Sequence, residues 1–166
     1  MMSIKMLRTI FLAVSFMGLA TRPAFALLCG TVLDPLSVSA TGISFGNYTA
    51  TDPTATTASG TITVSCGLLG VDVLPGFTVS LSSGNGGSFA PRTLAGGGAS
   101  LSYNLYADTT HTAVWGDGSG ATVARSFDGT LLHLGSYDFT VYGALAAGQF
   151  VKAGVYSDTI IVTVTY

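Results

Sequence analysis

The stretch Asp158-Thr159-Ile160-Ile161-Val162-Thr163-Val164-Thr165-Tyr166 carries the clearest strand pattern in the chain. From Ile160 onward every second side chain is large and apolar, which predicts a β-strand with one buried face. The residues of that face are Ile160, Val162, Val164 and Tyr166. Charge, proline or a covering loop normally protects a sheet edge, and the residues after Asp158 include neither charge nor proline. We therefore expect an open edge that pairs with an earlier segment or with another protein.

The composition of the whole chain favours strands over helices. Glutamate is absent, lysine is nearly absent, and there are 22 glycines. Strong helix formers are thus missing from exposed positions, where intrinsic propensity matters most. Because 48% of the residues are hydrophobic, enough apolar side chains remain to build a core. We predict an all-β fold.

The N-terminal residues have the pattern of a secretory signal peptide. Lys5 and Arg8 precede an apolar run, and Ala24-Phe25-Ala26 places small residues at the cleavage positions. The run is shorter than the roughly 20 residues that a membrane helix needs. We expect residues 1–26 to be removed on export, which leaves one domain over residues 27–166 with no membrane span.

The exported domain is acidic. Its basic residues are Arg92, Arg125 and Lys152, against eight aspartates, which gives a formal charge of −5. An acidic surface repels nucleic acid and anionic lipid. We therefore expect neither of them as a partner.

The two cysteines, Cys29 and Cys66, both lie in the exported domain. An even number of cysteines in an exported chain favours a disulfide, which here would tie the N-terminal part to a strand over residues 61–66. Such a bridge stabilises a domain by roughly 2–4 kcal/mol. The alternative is a metal site, but His111 and His133 lie at no ligand spacing. We expect no metal and no cofactor.

Further strand candidates alternate with turn-rich gaps along the chain. Residues 50–60 are rich in Thr, Ala, Ser, Asp, Pro and Gly, which predicts a loop. Short strands at this spacing are typical of a sandwich or barrel. The candidate strands cover residues 36–45, 61–66, 77–81, 101–106, 139–142 and 160–166.

Seven short pieces of the chain form a further pattern when they are taken in order. They are Phe45-Gly46-Asn47-Tyr48, Gly60-Thr61-Ile62-Thr63-Val64-Ser65-Cys66, Arg92-Thr93-Leu94, Leu101-Ser102-Tyr103-Asn104-Leu105-Tyr106, Trp115-Gly116-Asp117-Gly118, Val141-Tyr142-Gly143 and Ala153-Gly154-Val155-Tyr156-Ser157-Asp158-Thr159-Ile160. Together they resemble the spore coat protein U domain family, which includes subunits of archaic chaperone–usher pili. The resemblance implies an immunoglobulin-like β-sandwich that is incomplete because its last strand is missing.

The same resemblance implies how the open edge is completed. In pilins a periplasmic chaperone lends a strand to the groove, and the N-terminal extension of the next subunit later replaces it. The implied partners are a periplasmic pilus chaperone, an outer-membrane usher and other pilus subunits, and the implied destination is the cell surface. Strand addition of this kind draws affinity from main-chain hydrogen bonds and specificity from alternate side chains.

Mapped onto this sequence, the groove has two walls. One consists of Ile160, Val162, Val164 and Tyr166, and the opposite wall of Leu36 and Val38. The alternative is that these are ordinary core residues of a complete sandwich. If cleavage follows Ala26, only Leu27 and Leu28 precede Cys29, so we expect the chain to accept a strand rather than to donate one. It would then be a terminal or tip subunit, a subunit whose donor lies after Cys29, or a domain that folds without partners.

Two other classes of function compete with this one. A self-sufficient secreted coat protein or tip adhesin would bind a surface or a carbohydrate through exposed aromatic residues such as Trp115, although such residues more often pack at the ends of a sandwich. A secreted hydrolase would need a nucleophile and a base, and the sequence has neither a Gly-x-Ser-x-Gly elbow nor a metal-binding histidine pair. Asp117 between two glycines could serve a calcium site, although a lone aspartate in a turn more often caps its own backbone. We expect a structural protein and not an enzyme.

The predicted Cys29–Cys66 disulfide can be tested on the exported protein. Both cysteines should react with iodoacetamide only after reduction, because a disulfide offers no thiolate to the reagent. Mass spectrometry of the denatured protein, with and without reductant, measures this. Alkylation of either cysteine without reductant would contradict the pairing.

Overall fold

The structure is a computed structural model that describes residues 36–66, 74–129 and 135–166. These ranges form two antiparallel sheets. None of them contains a helix long and apolar enough to cross a membrane. The strands are β1 (Leu36–Ala40), β2 (Thr56–Cys66), β3 (Phe77–Leu81), β4 (Arg92–Gly96), β5 (Ala99–Tyr106), β6 (Arg125–Phe127), β7 (Ser136–Leu145) and β8 (Val162–Thr165).

The two sheets differ in width. The wider sheet has the order β1-β2-β7-β5-β4, and the narrower one has the order β6-β3-β8. Their inner faces pack on each other through aromatic and aliphatic side chains, for example Phe77 of β3 and Phe139 of β7, whose ring centres lie 6.0 Å apart. Burial of such side chains is the dominant favourable term in folding. The prediction of an all-β sandwich is confirmed.

Period-two alternation identified the core-facing residues of two strands in the wider sheet. The predicted strands over residues 61–66 and 101–106 lie within β2 and β5, and the one over residues 77–81 coincides with β3. Their alternate side chains pack in one cluster between the sheets. The buried residues at these positions are Ile62, Val64 and Cys66 in β2, and Leu101, Tyr103 and Leu105 in β5.

The prediction of a loop over residues 50–60 is wrong from Thr56 onward. Strand β2 begins at Thr56, and residues 56–65 pair with β7. The local composition misled because the partner strand supplies the hydrogen bonds, and tertiary pairing outweighs the weak strand preference of Gly, Ser and Ala. Strands β4 and β6 were not predicted, since each is short and lies at a sheet edge.

After β1 the chain crosses the inner face of the wider sheet. A Cβ on Gly60 of β2 would lie 2.8 Å from Ile43 Cγ1, and one on Gly143 of β7 would lie 2.9 Å from Phe45 Cζ. Only glycine permits so close an approach of another segment to the strand. The strand predicted over residues 36–45 therefore ends at Ala40, where the chain turns inward across the sheet.

Replacement of Gly143 with valine should destabilise the domain by about 1–3 kcal/mol, because the new side chain would overlap the ring of Phe45. Ala144→Val is the matched control, since Ala144 faces the other side of β7. Guanidinium unfolding of the refolded proteins measures the effect as a lower midpoint at an unchanged slope. Equal midpoints for the two variants would contradict the crossing geometry.

Candidate functional site

A groove of about 920 Å³ opens between two irregular segments of the sandwich. One wall is formed by residues 40–48, which follow β1, and the other by residues 151–162, which lead into β8. Buried side chains of both sheets line the space between them, including Leu81, Leu101 and Val141. The groove therefore reaches the hydrophobic core from outside.

The first wall is held by hydrogen bonds to β2 and by an aromatic contact. Thr41 N donates to Thr61 O (2.9 Å), and Thr41 Oγ1 accepts from Thr61 N (2.7 Å), which ties the chain down just after it leaves β1. Further along, the ring of Phe45 meets that of Tyr103 in an edge-to-face contact with centres 6.0 Å apart. This geometry is one that aromatic pairs prefer.

The second wall, residues 151–162, passes from one sheet to the other, and we call it the bridging segment. Ser157 exchanges two hydrogen bonds with Ala95 of β4 (2.9 and 3.0 Å). The carbonyl oxygen of Ile161 then accepts from Ser82 N (3.0 Å), and the chain continues as β8, paired with β3. The bridging segment thus joins an edge of the wider sheet to an edge of the narrower one.

Asp158 anchors the bridging segment at the point where it changes sheets. Its Oδ1 accepts a hydrogen bond from Asn85 N (2.8 Å), and its Oδ2 accepts one from the hydroxyl of Tyr103 (2.7 Å). Burial of Tyr103, reinforced by its hydrogen bond to the carboxylate, raises the pKa of the phenol well above its usual value. Both effects favour the protonated phenol, so Tyr103 remains a donor to Asp158.

Arg92 is a fully buried cation in the same part of the core, 0% exposed. Burial lowers the pKa of its guanidinium, and electrostatic interactions with Tyr103 and Asp158 oppose that shift. The planar fork of an arginine suits several acceptors at once, which the compact ammonium of a lysine does not. Its guanidinium donates to three oxygens at distances of 2.7 to 3.0 Å, namely Ser82 O, Trp115 O and Asn104 Oδ1.

Of the four wall residues predicted on the last strand, two line the groove and two do not. Ile160 and Val162 are half-buried and line the groove. Val164 is half-buried, pairs with Val79 of β3, and does not line the groove. Tyr166 is 63% exposed and packs on neither wall of the groove.

The predicted residues of the opposite wall lie on β1. Leu36 pairs with Cys66 and Val38 with Val64 of β2, and neither Leu36 nor Val38 lines the groove. The segment just after β1, residues 40–48, is the one that faces Ile160. Cys29 and the predicted signal peptide lie outside the described residues, so the signal peptide and the Cys29–Cys66 disulfide stay predictions.

The aromatic and acidic candidates for ligand binding have local structural roles. Trp115 is 0% exposed, so it is a packing residue and is not available as an exposed, sugar-stacking residue. Asp117 accepts hydrogen bonds from the backbone and hydroxyl of Ser119 (2.9 and 2.6 Å), which lower its pKa. His111 packs edge-on against Tyr106, and His133 is outside the described ranges. Within those ranges no group of three or more His, Cys, Asp or Glu side chains could hold a metal ion.

A solved structure defines the class of fold. A chain in the crystal structure of the CsuC–CsuE chaperone–tip adhesion subunit pre-assembly complex, from archaic chaperone–usher Csu pili of Acinetobacter baumannii, superposes with a TM-score of 0.54 at 20% sequence identity. The match covers 82% of this chain and 40% of that chain. The fold is thus one that occurs in a chaperone–usher pilus system.

The family follows from the sequence itself. The family model of the Spore Coat Protein U domain matches residues 25–163 of this chain. Protein U of Myxococcus xanthus is 29% identical over 136 residues, which are 75% of this chain and 71% of that protein. The chain belongs to the spore coat protein U domain family, and the resemblance drawn from its seven pieces is confirmed.

Sequence reasoning did not identify the polar network of Arg92, Tyr103 and Asp158. Each of the three residues lies in one of the seven family pieces, but the pieces were used only for their order. A signal was present in the composition, because an apolar domain with only three basic residues places one of them, Arg92, between strand-like segments. A lone cation in such a context indicates a buried hydrogen-bonding centre.

Arg92→Met should lower the free energy of unfolding by about 2–4 kcal/mol, because it removes the guanidinium that donates to Ser82 O, Trp115 O and Asn104 Oδ1. Of these three oxygens, Asn104 Oδ1 keeps another donor, Leu105 N (3.0 Å). Arg92→Lys should recover only part of this loss, since one ammonium cannot satisfy the same three acceptors in their fixed geometry. Arg125→Met, at an exposed position, serves as the matched control and should be nearly neutral. Denaturant midpoints measure all three, and full recovery by lysine would contradict the role of the planar fork.

Proposed function

We propose that this protein is an exported structural subunit of a chaperone–usher surface pilus, and that its groove accepts a β-strand from a partner. The observation that carries the proposal is the groove itself, which reaches the core between residues 40–48 and the bridging segment. A cavity lined by buried aliphatic side chains is unfavourable when filled with water. A strand with apolar residues at alternate positions would fill it.

The position of β8 supports strand addition as the mode of binding. Among the described strands β8 lies at the edge of the narrower sheet, where β3 is its neighbour. An edge strand offers backbone N–H and C=O groups to a further strand. Ile160 and Val162 would then supply side-chain contacts to the incoming strand from the groove wall.

Assembly would proceed by exchange of the added strand. A periplasmic chaperone would first occupy the groove, and a neighbouring subunit would replace it at an outer-membrane usher. The fibre would serve adhesion and biofilm formation at the cell surface, with no enzymatic step. The family membership and the similarity of the fold to a chain in a chaperone–subunit complex support this proposal.

A second candidate is a tip adhesin that binds an apolar surface directly. Phe150 and Val155 are 81% and 90% exposed, and they flank or belong to the bridging segment. Large apolar side chains at this exposure are suited to contact with another surface. Such a role is compatible with strand acceptance at Phe150, which does not line the groove, whereas Val155 belongs to its wall.

Expression of the chain alone in the periplasm should give a low steady-state amount, because the open groove exposes core surface to proteases and aggregation. Co-expression with a cognate pilus chaperone should raise that amount severalfold and yield a stable one-to-one complex. Immunoblotting and size-exclusion chromatography measure both. Robust accumulation of monomer without any chaperone would contradict an open groove.

Two adjacent isoleucines provide a matched control for that experiment. Ile160→Lys places a charge in the groove and should abolish rescue by the chaperone, since an unpaired charge is costly to bury. Ile161→Lys introduces the same side chain at a position that is 65% exposed and should leave the rescue intact. Equal rescue of both variants would show that the chaperone binds elsewhere.

A further inference from the structure

Tyr103 is in contact with both walls of the groove. It belongs to β5, its side chain is 5% exposed, and it lines the groove floor. Its ring meets Phe45 of the first wall edge to face. Its hydroxyl donates to Asp158 of the bridging segment. One rigid side chain therefore spans the floor from one wall to the other.

The hydroxyl contact of Tyr103 with Asp158 and its ring contact with Phe45 differ in strength, and they reach opposite walls of the groove. The bond from the hydroxyl to Asp158 measures 2.7 Å, and hydrogen bonds to an ionised carboxylate are about twice as strong as neutral ones. The ring contact with Phe45 is apolar and would survive loss of the hydroxyl. Removal of the hydroxyl would thus cut the bond between Asp158 and the floor without disturbing the first wall, while the bonds of Ser157 to Ala95 and of Ile161 to Ser82 would remain.

The other hydrogen bonds of Asp158 lie on its own side of the groove. Its other oxygen accepts from Asn85 N (2.8 Å) and from Thr159 N (2.8 Å). Asn85 is in the loop between β3 and β4, and Thr159 is the next residue along the chain. Among the hydrogen bonds described here, the one from Tyr103 is therefore the link between Asp158 and the floor strand β5.

We propose that the hydrogen bond between Tyr103 and Asp158 sets the width of the groove and keeps it ready to receive a strand. This inference rests on the proposed function, because it assigns a positioning role within the same site. Tyr103 acts as a spacer between the walls. Its ring contacts Phe45 of the first wall and its hydroxyl bonds to Asp158 of the second, so the side chain fixes the distance between the two walls. With the hydroxyl absent, the bridging segment would stay bonded at Ser157 and Ile161, but an incoming strand would have to fix the distance of Asp158 from the floor as it binds, which weakens binding.

Arg92 of β4 is the cross-strand neighbour of Tyr103. Burial lowers the pKa of its guanidinium, and electrostatic interactions with Tyr103 and Asp158 oppose that shift. The cation, the phenol and the carboxylate thus lie in one polar cluster beside the floor of the groove.

The test compares Tyr103→Phe with Tyr106→Phe in the refolded full chain. Tyr106 lies on the same strand, and its side chain faces the opposite side of the sheet. The probe is a fluorescently labelled synthetic peptide that alternates valine with threonine over about ten residues, and anisotropy gives its Kd. Tyr103→Phe should weaken peptide binding about threefold to tenfold, the range expected for one lost hydrogen bond, and Tyr106→Phe should not change it.

A double-variant cycle separates a specific bond from general damage. Asp158→Ala removes the acceptor and should also weaken binding, and adding Tyr103→Phe to Asp158→Ala should cause little further loss, because the shared bond is already gone. If Tyr103→Phe fails to fold, Asp158→Ala with hydrogen exchange at the amides of Ser157 and Ile161 carries the same test, with faster exchange expected at both.

The possible failures can be distinguished. Equal peptide affinity of wild type and Tyr103→Phe, or additive losses in the double variant, would overturn the spacer role and leave strand acceptance standing. Absence of peptide binding by the wild type would overturn strand acceptance and the spacer role together.

Discussion

The unequal width of the two sheets is the constraint on which the other features depend. Among the described strands, the wider sheet has five and the narrower has three, so part of the inner apolar face has no strand opposite it. Residues 41–45 cover some of this face by crossing over two glycines, and the bridging segment covers another part as it passes between sheet edges. The area that neither segment covers is the groove. Strand addition would bury this area, which is the physical basis of the proposed assembly.

The sequence predicted those strands whose alternation of apolar and polar residues is visible without knowledge of a partner strand. Alternation at period two located the core faces of β2, β3 and β5, because each buries one face along most of its length. It did not locate the start of β2, whose partner β7 is distant in sequence, nor β4 and β6, which are short strands at sheet edges. For the groove, Ile160 and Val162 lie in its lining, and their role in accepting a strand stays a prediction. The opposite wall was not predictable, because residues 41–45 are positioned by Gly60 and Gly143 in other strands.

The polar network of Arg92, Tyr103 and Asp158 brings one cation and one carboxylate together beside the floor of the groove. Buried charges are costly unless hydrogen bonds satisfy them, and Arg92 meets this condition with three acceptors drawn from separate segments. Hydrogen bonds of fixed direction then specify how those segments meet, which apolar contacts alone leave less defined. The network lies beside the floor of the groove, so the same residues that order this part of the core also determine the shape of the candidate site.

Trp115 gives this domain an optical signal of its own. It is the single tryptophan of the chain, its Nε1–H donates to Val79 O of the narrower sheet at 3.0 Å, and its ring meets Phe139 of the wider sheet edge-on. Indole emission moves to longer wavelength when water reaches the ring. Because this indole contacts both sheets and no other indole obscures it, separation of the sheets can be followed by the wavelength of its emission maximum in the unlabelled protein. The same signal can be read inside a complex whose partner lacks tryptophan.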